Sequence, residues 1–311
     1  MHTVAVLALD QVVPFDLGTP LEVFGRTPGY QVRVCAAEPQ VDAGLFTISA
    51  PWGLDALEDA DTVIVPGTAD AAKPVSPVVL DALRGAAARG ARIASICSGT
   101  FILAAAGLLD GLRATTHWCA ADGLARMYPA ISVDPDVLYV DNGQILTSAG
   151  AAAGLDLCLH MIRRDLGSEA AATAARFSVV PLEREGGQAQ FIPHELPPAP
   201  QGSTLEPLLD WLQANTGRDL TLADIARHSG MSTRTLLRRF REQLGSTPLQ
   251  WLHRTRIRQA QHLLETTTES VERIAGLVGF GSPTAFRERF KRITGVSPNA
   301  YRRTFVRPAT R

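Results

Sequence analysis

The chain has 311 residues, enough for two or three domains, and its 46% apolar and 20% charged residues are ordinary for soluble globular proteins. Its 4 cysteines form no CxxC pair and no Cys/His cluster at zinc spacing, which argues against a disulfide framework and a structural metal. The N-terminus has no cationic region and the apolar runs are too short for a bilayer. These features predict a reduced, cytoplasmic protein with neither a cofactor nor a membrane partner.

The net charge of −1 hides a strong asymmetry between the two parts of the chain. Residues 1–200 contain 12 basic and 22 acidic side chains, whereas residues 201–311 contain 18 basic and 9 acidic ones. Such asymmetry predicts an acidic regulatory or catalytic domain joined to a basic module that binds phosphate.

Residues 1–183 alternate short β-type runs with helical patterns, which predicts an α/β doubly wound sandwich of the flavodoxin-like kind. The predicted strands are Thr3–Leu9, Gln31–Cys35, Thr62–Val65, Arg92–Ile96 and Ile145–Thr147. The predicted helices are Pro20–Phe24, Pro77–Ala88, Thr100–Leu109, Trp118–Met127 and Ala151–Leu166. A ligand site is expected beyond the carboxyl ends of the strands, near Leu9–Gln11, Pro66–Gly67 and Ile96–Cys97.

The stretch from 181 to 204, PLEREGGQAQFIPHELPPAPQGST, is rich in proline and glycine and has no sustained periodicity. We interpret residues 184–204 as a linker, with the part near GGQAQF packed on the preceding domain. An all-α domain is predicted over residues 205–305, and residues 306–311 form a short tail.

The carboxyl-terminal domain contains an internal repeat. DIARHSGMSTRTLLRRFREQLGSTPLQWL aligns with RIAGLVGFGSPTAFRERFKRITGVSPNAY, so that Phe240 matches Phe290. Each copy has a short helix, a turn with Gly230 or Gly279, and a second helix opened by Ser232 or Ser282 as N-cap. The repeat therefore predicts two helix-turn-helix motifs.

The second helix of such a motif lies in the major groove, with its first residues towards the bases. The DNA-contacting residues predicted on this basis are Thr233, Arg234, Arg238, Arg239, Ser282, Thr284, Arg287 and Arg292. Arg292 is expected to contact phosphate, which fixes register without reading sequence. A long helix over Leu249–Thr266 would hold the two recognition helices about one DNA turn, ~34 Å, apart.

A plain helical bundle with a basic surface is the alternative, but it leaves the matched N-caps, glycines and phenylalanines of the two copies unexplained. Residues 205–305 resemble the AraC/XylS family of bacterial transcription regulators throughout. The second copy, IAGLVGFGSPTAFRERFKRITGVSPNAYR, is similar to that family's signature. The resemblance implies a regulator that binds double-stranded operator DNA and acts with RNA polymerase.

In the first domain, Cys97 follows an apolar run and precedes a helix, in the stretch SICSG. A nucleophile elbow has the pattern G-x-S-x-G, and here Ser95 occupies the position of the first glycine. The alternative is a cysteine that merely packs as a small apolar side chain.

Two further residues are expected at the same strand ends. Asp16 lies in the first βα unit, where helix capping is the alternative role, and His117 follows another candidate strand, where the alternative is a hydrogen-bonded core histidine. His160 is interpreted as a helix-face residue.

FDLGTPLEVFG, VPGTAD, ICSGTFILAAAGLLDGLRATTHW and ILTSAGAAAGLDLCLHMI resemble the PfpI branch of the class I glutamine amidotransferase-like superfamily. They are most similar to isocyanide hydratase and to the amidase-like domain of GlxA-type regulators. The resemblance implies Cys97 as nucleophile, Asp16 as carboxylate and Ser98 as the hydroxyl, where the enzyme has threonine. It also implies a homodimer.

The leading hypothesis is a transcription regulator whose first domain dimerises and senses a small molecule or redox state, without turnover. Its ligand-binding residues would be Gly67, Thr68, Cys97, Ser98 and His117. The second hypothesis is an isocyanide hydratase or amidase with an accessory DNA-binding domain, and the third is a DNA-bending protein, which leaves Cys97 without a role. Cys97 is expected to be the most reactive thiol, because it alone is predicted at a helix N-terminus in a pocket.

Overall fold

The computed structural model describes residues 1–71, 73–184, 187–192 and 205–305. The chain forms two compact units, Met1–Gln188 and Ala189–Arg311. Most of the predicted linker, 184–204, and all of the predicted tail, 306–311, lie outside the described residues. Gln188 is buried in the first unit, where it donates to the Thr116 carbonyl at 2.9 Å, so this unit continues beyond residue 183.

The first unit is built on a six-stranded sheet with the order β2-β1-β5-β6-β10-β9. All neighbours are parallel except β9 and β10. The described strands are β1 (His2–Leu7), β2 (Tyr30–Cys35), β3 (Gln40–Asp42), β4 (Thr47–Ser49), β5 (Thr62–Val65), β6 (Arg92–Ile96), β7 (Arg113–Ala114), β8 (Ser132–Val133), β9 (Tyr139–Asp141) and β10 (Ile145–Ser148). The five predicted strands are confirmed to within two residues.

Helices cover both faces of this sheet. They are α1 (Pro14–Gly25), α2 (Pro77–Ala88), α3 (Gly99–Ala105), α4 (Trp118–Met127) and α5 (Ala152–Phe177). Successive residues of β1 enter different cores: Val4 and Val6 pack with α1 and α5, whereas Ala5 and Leu7 pack with α2, α3 and α4. Strands buried on both faces are typical of parallel sheets, and the predicted doubly wound fold is confirmed.

Three helix ends differ from those predicted. Helix α1 begins at Pro14 instead of residue 20, because proline suits the first turn of a helix. Helix α3 ends at Ala105, and α5 continues past residue 166 across a break at Gly167, which has a φ of 87°. No helix within the described residues is long and apolar enough to cross a membrane.

The second unit is helical throughout its described part. Its helices are α6 (Glu206–Ala214), α7 (Leu222–His228), α8 (Thr233–Leu244), α9 (Pro248–Thr266), α10 (Val271–Leu277), α11 (Pro283–Thr294) and α12 (Pro298–Phe305). Helices α7–α8 and α10–α11 are the two predicted helix-turn-helix motifs. Each encloses its own core, and α9 contributes Leu252 to the first and Ile257 to the second.

A buried arginine contacts residues of both parts of the second unit. Arg256 of α9 is only 4% exposed, and its Nε donates to the Thr216 carbonyl at 2.9 Å while another guanidinium nitrogen donates to the Arg218 carbonyl. Its guanidinium also lies 5.6 Å from the ring centre of Phe280, in the turn of the second motif. The loop before the first motif and the turn of the second are thus held by one side chain.

Candidate ligand site and nucleic-acid interface

Cys97 occupies a strained turn between β6 and α3. Its φ is 58°, a region that costs free energy for a residue with a side chain. Backbone and side-chain bonds hold the turn: the Cys97 N–H donates to the Ser148 carbonyl at 3.0 Å, and the Thr116 hydroxyl donates to the Cys97 carbonyl at 2.8 Å. Cys97 therefore has the elbow geometry that the sequence predicts.

Gly150 makes room for this turn. A Cβ atom at Gly150 would lie 2.2 Å from Cys97 Cβ and 2.8 Å from its Sγ, and the φ of Gly150 is 81°. Both the close approach and the left-handed backbone require glycine here. Sequence reasoning missed this residue, because only the folded structure brings β10 against the elbow.

Asp16 lies in the first turn of α1, directly beside Cys97. It is 1% exposed, and its Oδ1 accepts a hydrogen bond of 2.9 Å from the Ala151 N–H. Its Oδ2 is buried without a hydrogen-bond partner among the described residues. Asp16 therefore does not cap its own helix, and the capping alternative is wrong.

Burial controls the protonation of this pair. Burial raises the pKa of Asp16, and the Ala151 N–H and the Cys97 thiol partly offset the rise because they favour the charged form. Burial, followed by the charge of Asp16, raises the pKa of Cys97 to about 12. Both effects disfavour the Cys97 thiolate, in spite of its position before a helix.

Ser98 supports the loop after β5. Its hydroxyl accepts from the Thr68 N–H at 2.8 Å and donates to the Thr68 carbonyl at 2.7 Å. A side-chain carbon at Gly67 would lie 2.6 Å from Asp16 Oδ2 and 2.9 Å from Ser98 Oγ, so these predicted residues do converge. With its proton donated to Thr68, Ser98 positions the Gly67–Thr68 loop.

His117 lies at the start of α4 and is close enough to Asp16 to interact with its charge. It is the N-cap residue of α4, and the Cys119 N–H donates to its Nδ1 at 3.4 Å. Burial lowers the pKa of His117, while the nearby Asp16 carboxylate acts to raise it. His160, by contrast, bonds Asp141 at 2.7 Å on the face of α5.

A second cysteine, Cys119, also lies at a helix N-terminus, in the first turn of α4, where it is exposed, whereas Cys35 and Cys158 are buried. The reactivity of Cys97 relative to the other thiols stays a prediction. Burial also raises the pKa of Cys35, to about 12, and that of Cys158.

A cleft of about 320 Å³ lies at the carboxyl ends of β1 and β2 and reaches Thr68. Apolar side chains, including Val79 and Phe101, line it together with the charged residues Glu38 and Lys73. Sequence reasoning pointed to this edge of the sheet but not to these residues, which come from distant parts of the chain.

In the second unit, α8 and α11 are the recognition helices, and both begin as predicted. The Ser232 hydroxyl accepts from the Thr235 N–H at 3.2 Å, and the Ser282 hydroxyl accepts from the Ala285 N–H at 3.4 Å. Ser282 is therefore a cap whose oxygen is already hydrogen-bonded.

The predicted base- and phosphate-contacting side chains lie mainly on the exposed surface of these helices. The exposed ones are Thr233, Arg234, Arg238, Thr284, Arg287 and Arg292, while Arg239 is half-buried. Arg238 pairs with Glu242 of its own helix at 2.9 Å, and Arg287 pairs with Glu272 of α10. Contacts with DNA by these residues stay a prediction.

Comparison with known proteins agrees with both units. A DJ-1/PfpI family model matches residues 2–164, and a helix-turn-helix domain model matches residues 225–304. The HTH-type transcriptional regulator GlxA of Rhizobium meliloti strain 1021 is 34% identical over 232 residues, which cover 71% of this chain and 68% of GlxA.

Two further proteins are similar to part of this chain. The isonitrile hydratase of Pseudomonas putida is 33% identical over 181 residues, covering 54% of this chain and 74% of the enzyme. The crystal structure of a THiJ/PfpI family protein from Pseudomonas syringae matches with a TM-score of 0.53 and 26% identity, covering 69% of this chain and 86% of that one.

A doubly wound α/β unit with a cysteine elbow, joined to paired helix-turn-helix motifs, defines a DNA-binding regulator built on an amidotransferase-like fold. The chain belongs to the DJ-1/PfpI family and is a transcription regulator with an AraC-type helix-turn-helix domain.

Proposed function

We propose that this regulator binds operator DNA as a homodimer, and that its Cys97 pocket binds a small-molecule effector or registers redox state. The observation that carries the proposal is Asp16, a buried carboxylate whose Oδ2 has no partner among the described residues. Burying a carboxylate oxygen without a hydrogen-bond partner costs stability, so a ligand that donates a hydrogen bond to Oδ2 would relieve that cost. Thr68, to which the Ser98 hydroxyl is bonded, also lines the apolar cleft, although Asp16 and Cys97 themselves do not line it.

The proposed binding of an effector is tested by footprinting the full chain on a selected operator, with and without a small-molecule extract of cells. We expect the extract to change the affinity or the footprint of the wild type, and this response to be lost in Asp16→Asn and Cys97→Ser. An identical response in all three proteins would contradict the Cys97 pocket as the effector site. If the full chain shows no salt-sensitive affinity for any duplex, the regulator itself is excluded.

Dimerisation is proposed because the first unit exposes large apolar side chains. Phe177 and Val179 are 64% and 89% exposed, and Phe177 lines a groove with Leu166 and Val23 between α1 and α5. A second copy would remove this apolar surface from water. Sedimentation equilibrium should give twice the chain mass of 33.3 kDa, with Phe177→Lys shifted towards monomer. A monomeric wild type at high micromolar concentration would contradict the proposal.

The proposed partners also include RNA polymerase, and operator binding would locate the protein at the nucleoid in the cytoplasm. Two motifs per chain in a dimer would place four recognition helices on repeated or inverted half-sites.

Isocyanide hydration is the second candidate function, favoured by the similarity to isonitrile hydratase and by the elbow at Cys97. The raised pKa of Cys97 and the bonded hydroxyl of Ser98 argue against efficient attack on a substrate. We expect no conversion of cyclohexyl isocyanide to the N-formamide by the full chain, measured by mass spectrometry. Turnover that disappears in both Cys97→Ser and Asp16→Asn would establish the enzyme instead.

A further inference from the structure

The last residue of the first unit is a glutamine whose side chain is buried near the Cys97 elbow. Gln188 is 3% exposed, and its amide nitrogen donates to the Thr116 carbonyl at 2.9 Å and to the Thr115 hydroxyl at 3.1 Å. Its amide oxygen accepts from the Trp118 N–H at 3.0 Å. Both polar atoms of this buried side chain are therefore hydrogen-bonded, and all three partners lie in the segment that follows β7 and opens α4.

The same segment holds the turn at Cys97. The Thr116 hydroxyl donates to the Cys97 carbonyl at 2.8 Å, and the Thr115 carbonyl accepts from the Thr100 hydroxyl of α3 at 3.0 Å. The side chains of these three threonines are fully buried. Because water does not reach this network to replace a lost partner, a shift of the Cys97 turn must either carry Gln188 with it or break the hydrogen bonds of its amide.

The residues before Gln188 are fixed to other parts of the first unit. The Arg184 Nε donates to the carboxylate of Asp156 in α5 at 3.0 Å, and a Cβ atom at Gly187 would overlap the Asp136 carbonyl oxygen. The chain therefore reaches Gln188 from a fixed position. A change in the hydrogen bonds of its amide then acts on the residues that follow, which lead into the second unit.

We propose that Gln188 couples the Cys97 elbow to the second unit, so that a change at the elbow alters how firmly the chain leading to the DNA-binding motifs is held. This inference rests on the proposed effector site, because it assigns to that site its route to DNA binding. Gln188 is the final residue of the first unit, and the chain continues from Ala189 into the second. Gln188 is thus a positioning residue, and it acts without contacting the effector.

Coupling between two sites is reciprocal in free energy. If the geometry of the Cys97 turn affects the hydrogen bonds of Gln188, then loss of those bonds must affect the Cys97 turn to the same extent. The network therefore predicts effects in both directions, and both can be measured in the absence of any effector.

Hydrogen exchange of the full chain measures the effect of the elbow on the residues after Gln188. Thr116→Val removes the hydroxyl that bonds Cys97 and keeps the shape of the side chain, and it should accelerate exchange of the amides of residues 189–192 about tenfold. Thr116→Ser keeps the hydroxyl and should exchange like the wild type. Thr62→Val is the matched control, because Thr62 is 1% exposed and its hydroxyl bonds His2 at 2.8 Å, at the amino end of β5.

The reverse direction is measured in Gln188→Met, which has a side chain of similar length but no amide. Exchange of the Cys97 amide, whose partner is the Ser148 carbonyl, should accelerate about tenfold in this variant. Circular dichroism checks that each variant is folded. Unchanged exchange at Cys97 in Gln188→Met would overturn the proposal, as would equal acceleration at residues 189–192 in Thr116→Val and Thr62→Val. The Gln188 amide would then only stabilise the start of α4.

Footprinting with the small-molecule extract of cells separates this coupling from the effector site itself. We expect the extract to change the footprint of the wild type on the selected operator and to leave that of Gln188→Met unchanged. An equal response of the two proteins would overturn the proposal, because the signal would not pass through Gln188. A wild type that does not respond would contradict the effector site, and the exchange measurements would still decide whether Gln188 and Cys97 are coupled.

Discussion

The Cys97 elbow and the recognition helices hold their functional groups in different ways. At the elbow, Cys97 and Ala151 both have positive φ, and a buried carboxylate lacks a partner for one oxygen among the described residues. In the helix-turn-helix motifs, both recognition helices start at a serine cap, and the predicted DNA-facing side chains lie largely on an exposed surface. The elbow therefore holds strained backbone and an incompletely bonded carboxylate, whereas the surface of the recognition helices is unstrained, although Arg238 and Arg287 are already paired with Glu242 and Glu272.

The largest effect that separates the two regions should come from adding one methyl group. Gly150→Ala places a Cβ atom against Cys97 in a left-handed backbone, and we expect it to destabilise the first unit by about 3 kcal/mol or more. Gly230→Ala is the matched control, because Gly230 also has positive φ, 65°, but has no neighbouring atom within 4 Å of a new Cβ. It should cost about 1 kcal/mol.

Hydrogen exchange of the β6 amides in the first variant, and of the α7 and α8 amides in the second, measures each region separately. Equal losses in the two regions would contradict the tighter packing that we infer for the Cys97 elbow.

An intermediate effect is expected on DNA binding. Arg234→Ala and Arg287→Ala should each cost about 1–3 kcal/mol on the selected operator and relax sequence preference, if each arginine contacts a guanine in bidentate fashion. Arg292→Ala should instead weaken all duplexes alike and reduce the salt dependence, as loss of a phosphate contact does. Fluorescence anisotropy on operator and scrambled duplexes at several salt concentrations distinguishes them. A uniform loss in all three variants would show that the arginines only position the protein.

The smallest effect should be a gain in stability. Asp16→Asn removes a buried charge and should stabilise the first unit by about 1 kcal/mol at neutral pH, as relaxation of a functional site often does. Because the folded-state pKa of Asp16 is raised, the wild type is favoured at low pH and loses stability as pH rises through that pKa. The advantage of the variant should therefore shrink as pH falls towards 3.8, the ordinary value for aspartate. Hydrogen exchange of the β6 amides measures the stability difference between Asp16→Asn and the wild type. A difference that stays constant between pH 7.5 and 4.5 would show that it does not come from the charge of Asp16.

The sequence predicts the positions of the strands and helices more accurately than the roles of the side chains in the candidate site. The strands and the two recognition helices follow from apolar runs, caps and the internal repeat, all of which are local. The role of Ser98 could not be predicted, because the direction of its hydroxyl depends on the Thr68 backbone from another βα unit. The contact between Cys119 and His117 could not be predicted for a similar reason, since it follows from how His117 caps α4.

The burial of Arg256 could not be predicted from the sequence either, because its partners lie in a loop about 40 residues earlier and in the turn of the second motif. A charged residue on a polar helix is ordinarily exposed, and only the fold reveals that this one is not.

The Arg256 clamp has a consequence for the shape of the operator. Since one guanidinium holds the loop before the first motif and the turn of the second, the protein has little freedom to adjust the distance between α8 and α11. If both helices contact DNA, we expect the double helix, and not the protein, to adjust by bending or by changing its groove width. That deformation is easiest at flexible pyrimidine–purine steps. We therefore expect base pairs that no side chain touches, between the two grooves, to influence affinity through the stiffness of the duplex.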